Sequence, residues 1–162
     1  IPQGWIWQGG IALAVVMFGD SVDGTLARMT TGGTRFGAFL DSTLDRLGDG
    51  AVFGSLTAYA VFQMADTPVR TWAIIAGICS IVGAAAVPYA RARAESVGVV
   101  AKLGIAERTD RLIIGMGTAI LMSLGLPEWI FAAGLTWVAF ASFVTVCQRI
   151  WFTARHIDEG AQ

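Results

Sequence analysis

The stretch "GDSVDGTLARMTTGGTRFGAFLDSTLDR", which runs from Gly19 to Arg46, determines how the rest of the chain is interpreted. It carries four aspartates between long hydrophobic runs: Asp20, Asp23, Asp41 and Asp45. Asp20 and Asp23 are three positions apart, and Asp41 and Asp45 are four positions apart. On helices, each of these two pairs therefore lies on one face. A helix–loop–helix hairpin would therefore direct four carboxylates into one volume beside strongly apolar sequence.

The composition indicates an integral membrane protein. Of the 162 residues, 55% are hydrophobic and 14% are charged, whereas about a quarter of an ordinary soluble domain is charged. Mean hydropathy is +0.64. We predict an all-α, polytopic transmembrane helix bundle that forms a single domain over residues 1–162. Its five predicted spans are Trp5–Met29, Phe36–Met64, Val69–Ala94, Arg111–Leu126 and Glu128–Phe152. The net charge of −1 says nothing about nucleic acid, and no basic run in the sequence suggests such a partner, so none is predicted.

The distribution of basic residues predicts the orientation. If the spans alternate in direction, every lysine and arginine except Arg70 falls on the side of the aspartates. The positive-inside rule places that side in the cytoplasm. We therefore predict a multi-pass protein of the plasma membrane, surrounded by membrane lipids, whose active site faces the cytoplasm.

The aspartate set has the spacing of a metal site. Four bare carboxylates in one volume would repel one another, and divalent cations relieve that repulsion. Oxygen ligands favour Mg²⁺, Mn²⁺ or Ca²⁺ over zinc, and four carboxylates are enough for two metals about 3.5–4 Å apart. Such a pair suits displacement at phosphorus. The alternative is structural, with the aspartates capping helices and pairing with nearby arginines. Asp49, one turn beyond Asp45, is predicted to have a structural, hydrogen-bonding role.

The full string reads D-x-x-D-G-x-x-A-R-x8-G-x3-D-x3-D and resembles the motif of the CDP-alcohol phosphatidyltransferase family at every fixed position. The matching residues are Asp20, Asp23, Gly24, Ala27, Arg28, Gly37, Asp41 and Asp45. The resemblance implies a six-helix membrane enzyme, usually a homodimer, that transfers a phosphatidyl group from a CDP-linked lipid to an alcohol and releases CMP. Because five spans are predicted here, we expect that the family's first span is missing from the chain, so that the domain is incomplete at its N-terminus.

The resemblance also implies roles for individual residues. Two divalent cations, Mg²⁺ with Mn²⁺ as the alternative, would be held by the four aspartates on the pyrophosphate of CDP-diacylglycerol. Asp45 would also serve as the general base. The CDP-lipid would be bound by Gly24, Arg28 and Thr34.

Two later segments are similar to the actinobacterial members of the family that make phosphatidylinositol phosphate. They are "PYARARAESVG", residues 88–98, and "GIAERTDRLI", residues 104–113. This similarity implies inositol 1-phosphate as the acceptor, with its phosphate bound by Arg91, Arg93, Arg111 and Arg149. These arginines end different predicted spans on the aspartate side, as a phosphate site requires. Arg108 is a weaker candidate, expected to pair with Glu107 or Asp110, and His156 is expected to be solvated.

Three other functions remain open at this point. The same fold with glycerol 3-phosphate as acceptor would make phosphatidylglycerol phosphate. An intramembrane prenyltransferase also uses two aspartate clusters, but these would lie far apart in the chain. A non-enzymatic divalent-cation transporter would carry its carboxylates near the bilayer midplane, whereas these lie at one edge of the predicted spans.

Overall fold

The computed structural model describes residues 34–101, 103–105 and 107–157. These residues form four helices: α1 (Arg35–Gln63), α2 (Pro68–Ser96), α3 (Arg108–Ser123) and α4 (Glu128–His156). No strand occurs in these ranges, so the prediction of an all-α fold is confirmed for them. Each helix corresponds to one predicted span, with ends within four residues of the predicted ones. The first predicted span, Trp5–Met29, lies outside the described residues.

Polar caps and glycines set the ends of these helices. Thr34 and Thr67 cap α1 and α2, and each hydroxyl accepts a hydrogen bond from the backbone N–H three residues later. Pro68, whose missing N–H costs nothing at the first helical position, opens α2. Gly98 and Gly125 follow α2 and α3 with φ of 85° and 96°, a conformation that favours glycine and ends a helix.

All four helices contribute to the buried core, and the most extensive helix contact is that between α2 and α4. Small residues permit the close approach, as at Gly83, where an added Cβ would lie 2.6 Å from the Cβ of Ser142. The Ser142 hydroxyl donates to the carbonyl of Val138 in its own helix, at 2.7 Å, so it needs no partner across the interface. Small residues at helix contacts are typical of membrane bundles.

The antiparallel order of the helices brings four helix termini together. The starts of α1 and α3 meet, since Arg108 contacts Asp45 at 2.7 Å. The end of α4 joins the second half of α2, since Arg149 donates to the carbonyl of Val87 at 2.6 Å. We call this the site end. The opposite end, the far end, contains the start of α2, whose Trp72 indole donates to the Thr136 hydroxyl of α4 at 2.8 Å.

Two of the helices, α2 and α4, are long and apolar enough to cross a membrane. On α2, Ile75, Ile78 and Val82 are each more than half exposed, and a large exposed apolar face marks a surface that contacts lipid or protein. Helix α3 has 16 residues, fewer than the ~20 that a bilayer crossing needs. The prediction of a helical bundle is thus confirmed, whereas membrane crossing is supported for two of the five predicted spans.

Candidate active site

Asp41 and Asp45 lie one helical turn apart in the first half of α1, as their spacing predicts. Asp41 is exposed, whereas the Asp45 side chain is only 19% exposed. Thr34 lies at the N-terminus of the same helix, where its hydroxyl accepts a hydrogen bond from the Gly37 backbone N–H at 3.0 Å. The site end therefore presents one accessible and one sheltered carboxylate on neighbouring turns.

The sheltered carboxylate is held by an arginine from another helix. Nη1 of Arg108, the first residue of α3, lies 2.7 Å from Oδ1 of Asp45. Nη2 of Arg46 is 3.9 Å from Oδ2 of Asp45, which is too long for a hydrogen bond. Among the described arginines, Arg108 alone binds Asp45 closely, through Oδ1, and we take Oδ2 as the oxygen available for other chemistry.

Asp49 lies one turn further along α1 and is only 2% exposed. Its Oδ1 accepts from Nε of Arg108 at 2.9 Å and its Oδ2 from Nη2 of Arg111 at 3.3 Å. Arg111 is itself only 3% exposed. A buried carboxylate bound to two guanidinium groups fits the hydrogen-bonding role predicted for Asp49 and ties α1 to α3 at the site end.

Arg108 corrects one expectation. Instead of pairing with Glu107 or Asp110, it bridges the two sheltered carboxylates of α1. Asp110 accepts instead from the Glu107 backbone N–H, at 3.4 Å. The sequence does contain a signal for the bridge: Arg108 and Arg111 are three apart, and on a helix they share a face just as Asp45 and Asp49 do.

Arg149 lies half-buried near the end of α4. Its Nε donates to the carbonyl of Leu103 at 3.0 Å and its Nη1 to the carbonyl of Val87 at 2.6 Å. The guanidinium therefore ties α4 to α2 and to the α2–α3 connection. Nearby Gly104 has a φ of 149° and packs against Thr145 so closely that a Cβ there would overlap the threonine side chain.

The other two arginines predicted to bind the acceptor lie at the surface on the last turns of α2. Nε of Arg91 pairs with Oε1 of Glu95 at 2.9 Å, and Nη1 of Arg93 lies 3.2 Å from Oγ of Ser96. Both are exposed, so neither is committed to a buried contact. Arg149 interacts electrostatically with Arg91 and Arg111, which repel it, and with Glu95, which attracts it. Three helices thus bring like charges together, an arrangement that an anion would stabilise.

The last turn of α4 corrects a second expectation. His156 is half-buried rather than part of a solvated tail, and its ring stacks on Phe152 with centroids 4.1 Å apart. The guanidinium of Arg155 lies over the Trp151 ring, 3.8 Å from its centroid. Neither residue contacts the carboxylates described above.

The remaining predicted site residues, Asp20, Asp23, Gly24 and Arg28, lie outside the described residues. Within residues 34–101, 103–105 and 107–157 no group of three or more His, Cys, Asp or Glu could hold a metal ion. Asp41 and Asp45 are the members of the predicted set that the structure does describe. Their oxygen donors, one turn apart, fit one half of a site for Mg²⁺ or Mn²⁺.

The chain is similar in sequence to proteins of known function. The chain is 41% identical over 152 residues to the phosphatidylinositol phosphate synthase of Mycolicibacterium smegmatis, covering 92% of this chain and 66% of that protein. It is 37% identical over 156 residues to the synthase of Cutibacterium acnes, covering 92% of this chain and 73% of that protein. The chain thus spans about two thirds to three quarters of the length of these relatives.

The fold is also similar to those of solved structures. A crystal structure of Mycobacterium tuberculosis phosphatidylinositol phosphate synthase with CDP-DAG bound matches with a TM-score of 0.81 at 36% identity, covering 94% of this chain and 75% of that one. A structure of the same protein in complex with manganese and citrate matches with a TM-score of 0.82 at 35% identity, covering 94% and 72% of the two chains.

The family model for CDP-alcohol phosphatidyltransferase matches residues 1–151. This match covers nearly the whole chain, including the residues of the aspartate motif, and the predicted resemblance is confirmed. The chain belongs to the CDP-alcohol phosphatidyltransferase family.

Proposed function

We propose that this protein transfers the phosphatidyl group of CDP-diacylglycerol to inositol 1-phosphate, giving phosphatidylinositol phosphate and CMP. Its family membership and its similarity to phosphatidylinositol phosphate synthases support the reaction. The observation that carries the proposal is a juxtaposition at the site end. The half-sheltered carboxylate of Asp45 lies at the same end of the bundle as the converging charges of Arg91, Arg111 and Arg149.

The metal site would be formed by the carboxylates of Asp20, Asp23, Asp41 and Asp45. Two Mg²⁺ ions, or Mn²⁺ in their place, would neutralise negative charge on the transferring phosphoryl group and its leaving group. The oxygen donors on α1 support this choice of metal. The manganese-bound structure of the Mycobacterium tuberculosis relative supports dependence on a divalent cation.

The chain's own residues would bind and activate the substrates. Arg28 would pair with the pyrophosphate of the CDP-lipid, with Gly24 and Thr34 flanking the nucleotide. Asp45 would accept the proton of the acceptor hydroxyl as general base. The hydroxyl oxygen then forms a bond to the lipid-linked phosphorus, the phosphoanhydride bond breaks, and CMP leaves with the bridging oxygen and its electron pair. The proton on Asp45 is released to water before the next turnover.

The acceptor's phosphate would be bound by Arg91, Arg93, Arg111 and Arg149, which come from three helices at the site end. A phosphate dianion is best held by several guanidinium groups arranged around it. Arg149 uses Nε and Nη1 on backbone carbonyls, so we assign its Nη2 side to the phosphate. Arg91 and Arg93 would approach from the surface.

The protein would work in the plasma membrane as a homodimer, with the site end at the cytoplasmic face. The positive-inside rule supports this orientation, because the basic residues of the described chain cluster at the site end and Arg70 lies at the far end. The membrane-embedded family and the two apolar helices support the location. The lipid tails of the substrate would remain among the helices.

The test is a transfer assay on purified protein in lipid nanodiscs. CDP-diacylglycerol is supplied with inositol 1-phosphate, glycerol 3-phosphate or free inositol, with Mg²⁺, with Mn²⁺, or with EDTA, and CMP and lipid product are measured. We expect turnover with inositol 1-phosphate and metal only. Preference for glycerol 3-phosphate would change the acceptor, and no CMP release with any acceptor would overturn the proposal. CMP release would also exclude the transporter as the primary function.

A further inference from the structure

Of the described carboxylates at the site end, Asp49 is the most deeply buried, and the reaction proposed above gives it no chemical role. Both of its oxygens bind guanidinium groups, Oδ1 that of Arg108 and Oδ2 that of Arg111. These two arginines have different surroundings. Arg108 also contacts the predicted base, Asp45, whereas Arg111 lies on the side of the predicted acceptor phosphate.

The guanidinium of Arg108 is divided between two carboxylates. Its Nε lies 2.9 Å from Asp49 and its Nη1 2.7 Å from Asp45. The bond to Asp49 fixes one edge of the planar group and thereby fixes where the other nitrogen lies. As a result Arg108 binds Oδ1 of Asp45 and not Oδ2, which is left for a metal or a proton.

The charges in this cluster balance only with Asp49 present. Among the described residues, Asp41, Asp45 and Asp49 carry three negative charges, and Arg46, Arg108 and Arg111 carry three positive charges. Without the charge on Asp49, Arg108 has Asp45 as its remaining carboxylate contact among the described residues, in a poorly solvated site where charge pairs interact strongly. Arg108 would then move fully onto Asp45 and compete for both of its oxygens.

We propose that Asp49 is a positioning residue that keeps Arg108 from occupying Asp45 completely and holds Arg111 in place for the acceptor. The inference rests on the proposed function, because it concerns the predicted metal ligand and the predicted phosphate contact. In this arrangement a single buried carboxylate couples the CDP-lipid half of the site to the acceptor half. Asp49 itself touches neither substrate.

The first experiment measures metal binding without turnover. MnCl₂ is titrated into the purified protein, and the EPR signal of free Mn²⁺ reports the apparent Kd. Asp49→Asn should weaken Mn²⁺ binding by about fivefold or more, within the range of couplings between contacting charged residues. Adding Arg108→Gln should restore the affinity, because the competing cation is gone. Asp66→Asn is the matched control, since that carboxylate is 95% exposed at the far end.

The second experiment uses kinetics to separate the effect of Asp49 on Arg108 from its effect on Arg111. At saturating Mn²⁺, Asp49→Asn should lower kcat and raise the KM for inositol 1-phosphate, each by about fivefold or more, with the KM for CDP-diacylglycerol unchanged. Adding Arg108→Gln should not restore the acceptor KM, because the ion pair between Arg111 and the Asp49 carboxylate is still missing. A conservative Arg111→Lys substitution in the wild-type background should reproduce the rise in acceptor KM without weakening Mn²⁺ binding.

The rescue distinguishes positioning from simple structural support. If Asp49 only stabilised the fold, Arg108→Gln would remove a second contact and make Mn²⁺ binding worse. Mn²⁺ affinity that is unchanged in Asp49→Asn, or not restored in the double variant, would therefore overturn the inference. Failure of the wild-type protein to transfer to any acceptor, with normal Mn²⁺ binding and rescue, would instead overturn the proposed function alone.

Discussion

Replacing Arg149 with alanine would test whether one guanidinium both supports the fold and binds the acceptor. Its Nε and Nη1 donate to the carbonyls of Leu103 and Val87, which join the end of α4 to two other segments. The remaining edge of the group is the part assigned to the acceptor phosphate. The alanine variant should therefore show two separate defects, one in stability and one in acceptor binding.

The size of each defect follows from the contacts that are lost. A hydrogen bond to a charged group contributes about 1.5–3 kcal/mol, and a factor of ten in affinity corresponds to about 1.4 kcal/mol. Loss of the phosphate contact should raise the KM for inositol 1-phosphate about tenfold or more. Loss of two half-buried carbonyl contacts should cost about 2–4 kcal/mol after water replaces part of them. At about 2–4 °C per kcal/mol, Tm should fall by about 4 °C or more.

The conservative variant Arg149→Lys separates the two effects. Lysine keeps the charge that a phosphate requires, but a single ammonium group cannot span both carbonyls. Its acceptor KM should stay within about threefold of wild type, since a point charge still binds phosphate, while Tm falls by about half as much as in the alanine variant. Arg155→Ala is the matched control on the last turn of the same helix, where the side chain lies over Trp151.

Initial rates against each substrate and thermal unfolding in the same detergent provide the measurements. The KM for CDP-diacylglycerol should be nearly unchanged in all three variants. If Arg149→Ala left the acceptor KM unaltered, the guanidinium would not bind the acceptor. If Tm were equal to that of wild type in both Arg149 variants, the two carbonyl contacts would contribute nothing measurable.

The remaining predictions concern the metal, the acceptor and the helix packing. Asp41→Asn should abolish transfer and weaken Mn²⁺ binding by about tenfold or more, because a ligand charge is lost. The control Asp66→Asn should leave both transfer and Mn²⁺ binding unchanged. Near-normal activity in Asp41→Asn would contradict the metal site. Free inositol should be accepted at least about a hundredfold less well than its phosphate, since two or more guanidinium contacts are lost; equal rates would remove the arginines from acceptor binding. Gly83→Leu should lower the free energy of unfolding by about 1–3 kcal/mol, because Ser142 leaves no space for a side chain. The control is Gly117→Ala, where no atom lies within 4 Å of the added Cβ. This control should not change stability measurably in the same thermal assay.

The helices were predictable from the sequence because their ends are marked locally. Thr34 and Thr67 cap the starts of α1 and α2, and Gly98 and Gly125 follow the ends of α2 and α3. The polar and glycine-rich breaks between apolar runs therefore located four of the five predicted spans. Membrane crossing was less predictable for the other two described helices. Helix α3 is short, and α1 carries its carboxylates in its first half.

The pairing of charges at the site end was only partly predictable. The i, i+4 spacing of Asp41 and Asp45 is a local property of α1, so periodicity alone found it. The bridge from Arg108 to Asp45 joins residues 63 positions apart in the printed sequence, and no local pattern selects one arginine over its neighbours. The sequence predicted that Arg108 pairs with the acidic residues nearest to it in the chain. In the structure it binds more deeply buried carboxylates on α1.

Burial makes the arginines of the site end unequal, although the sequence presents them as equivalent. An exposed i, i+4 pair such as Arg91–Glu95 is worth about 0.3–0.5 kcal/mol. Breaking a buried pair such as Arg111–Asp49 costs about 3–5 kcal/mol. An incoming phosphate can therefore draw Arg91 away from Glu95 at little cost, but it cannot displace Arg111 from Asp49. We infer that the exposed arginine moves to the acceptor, while the buried arginine contributes a fixed positive charge that needs no reorganisation when the phosphate arrives.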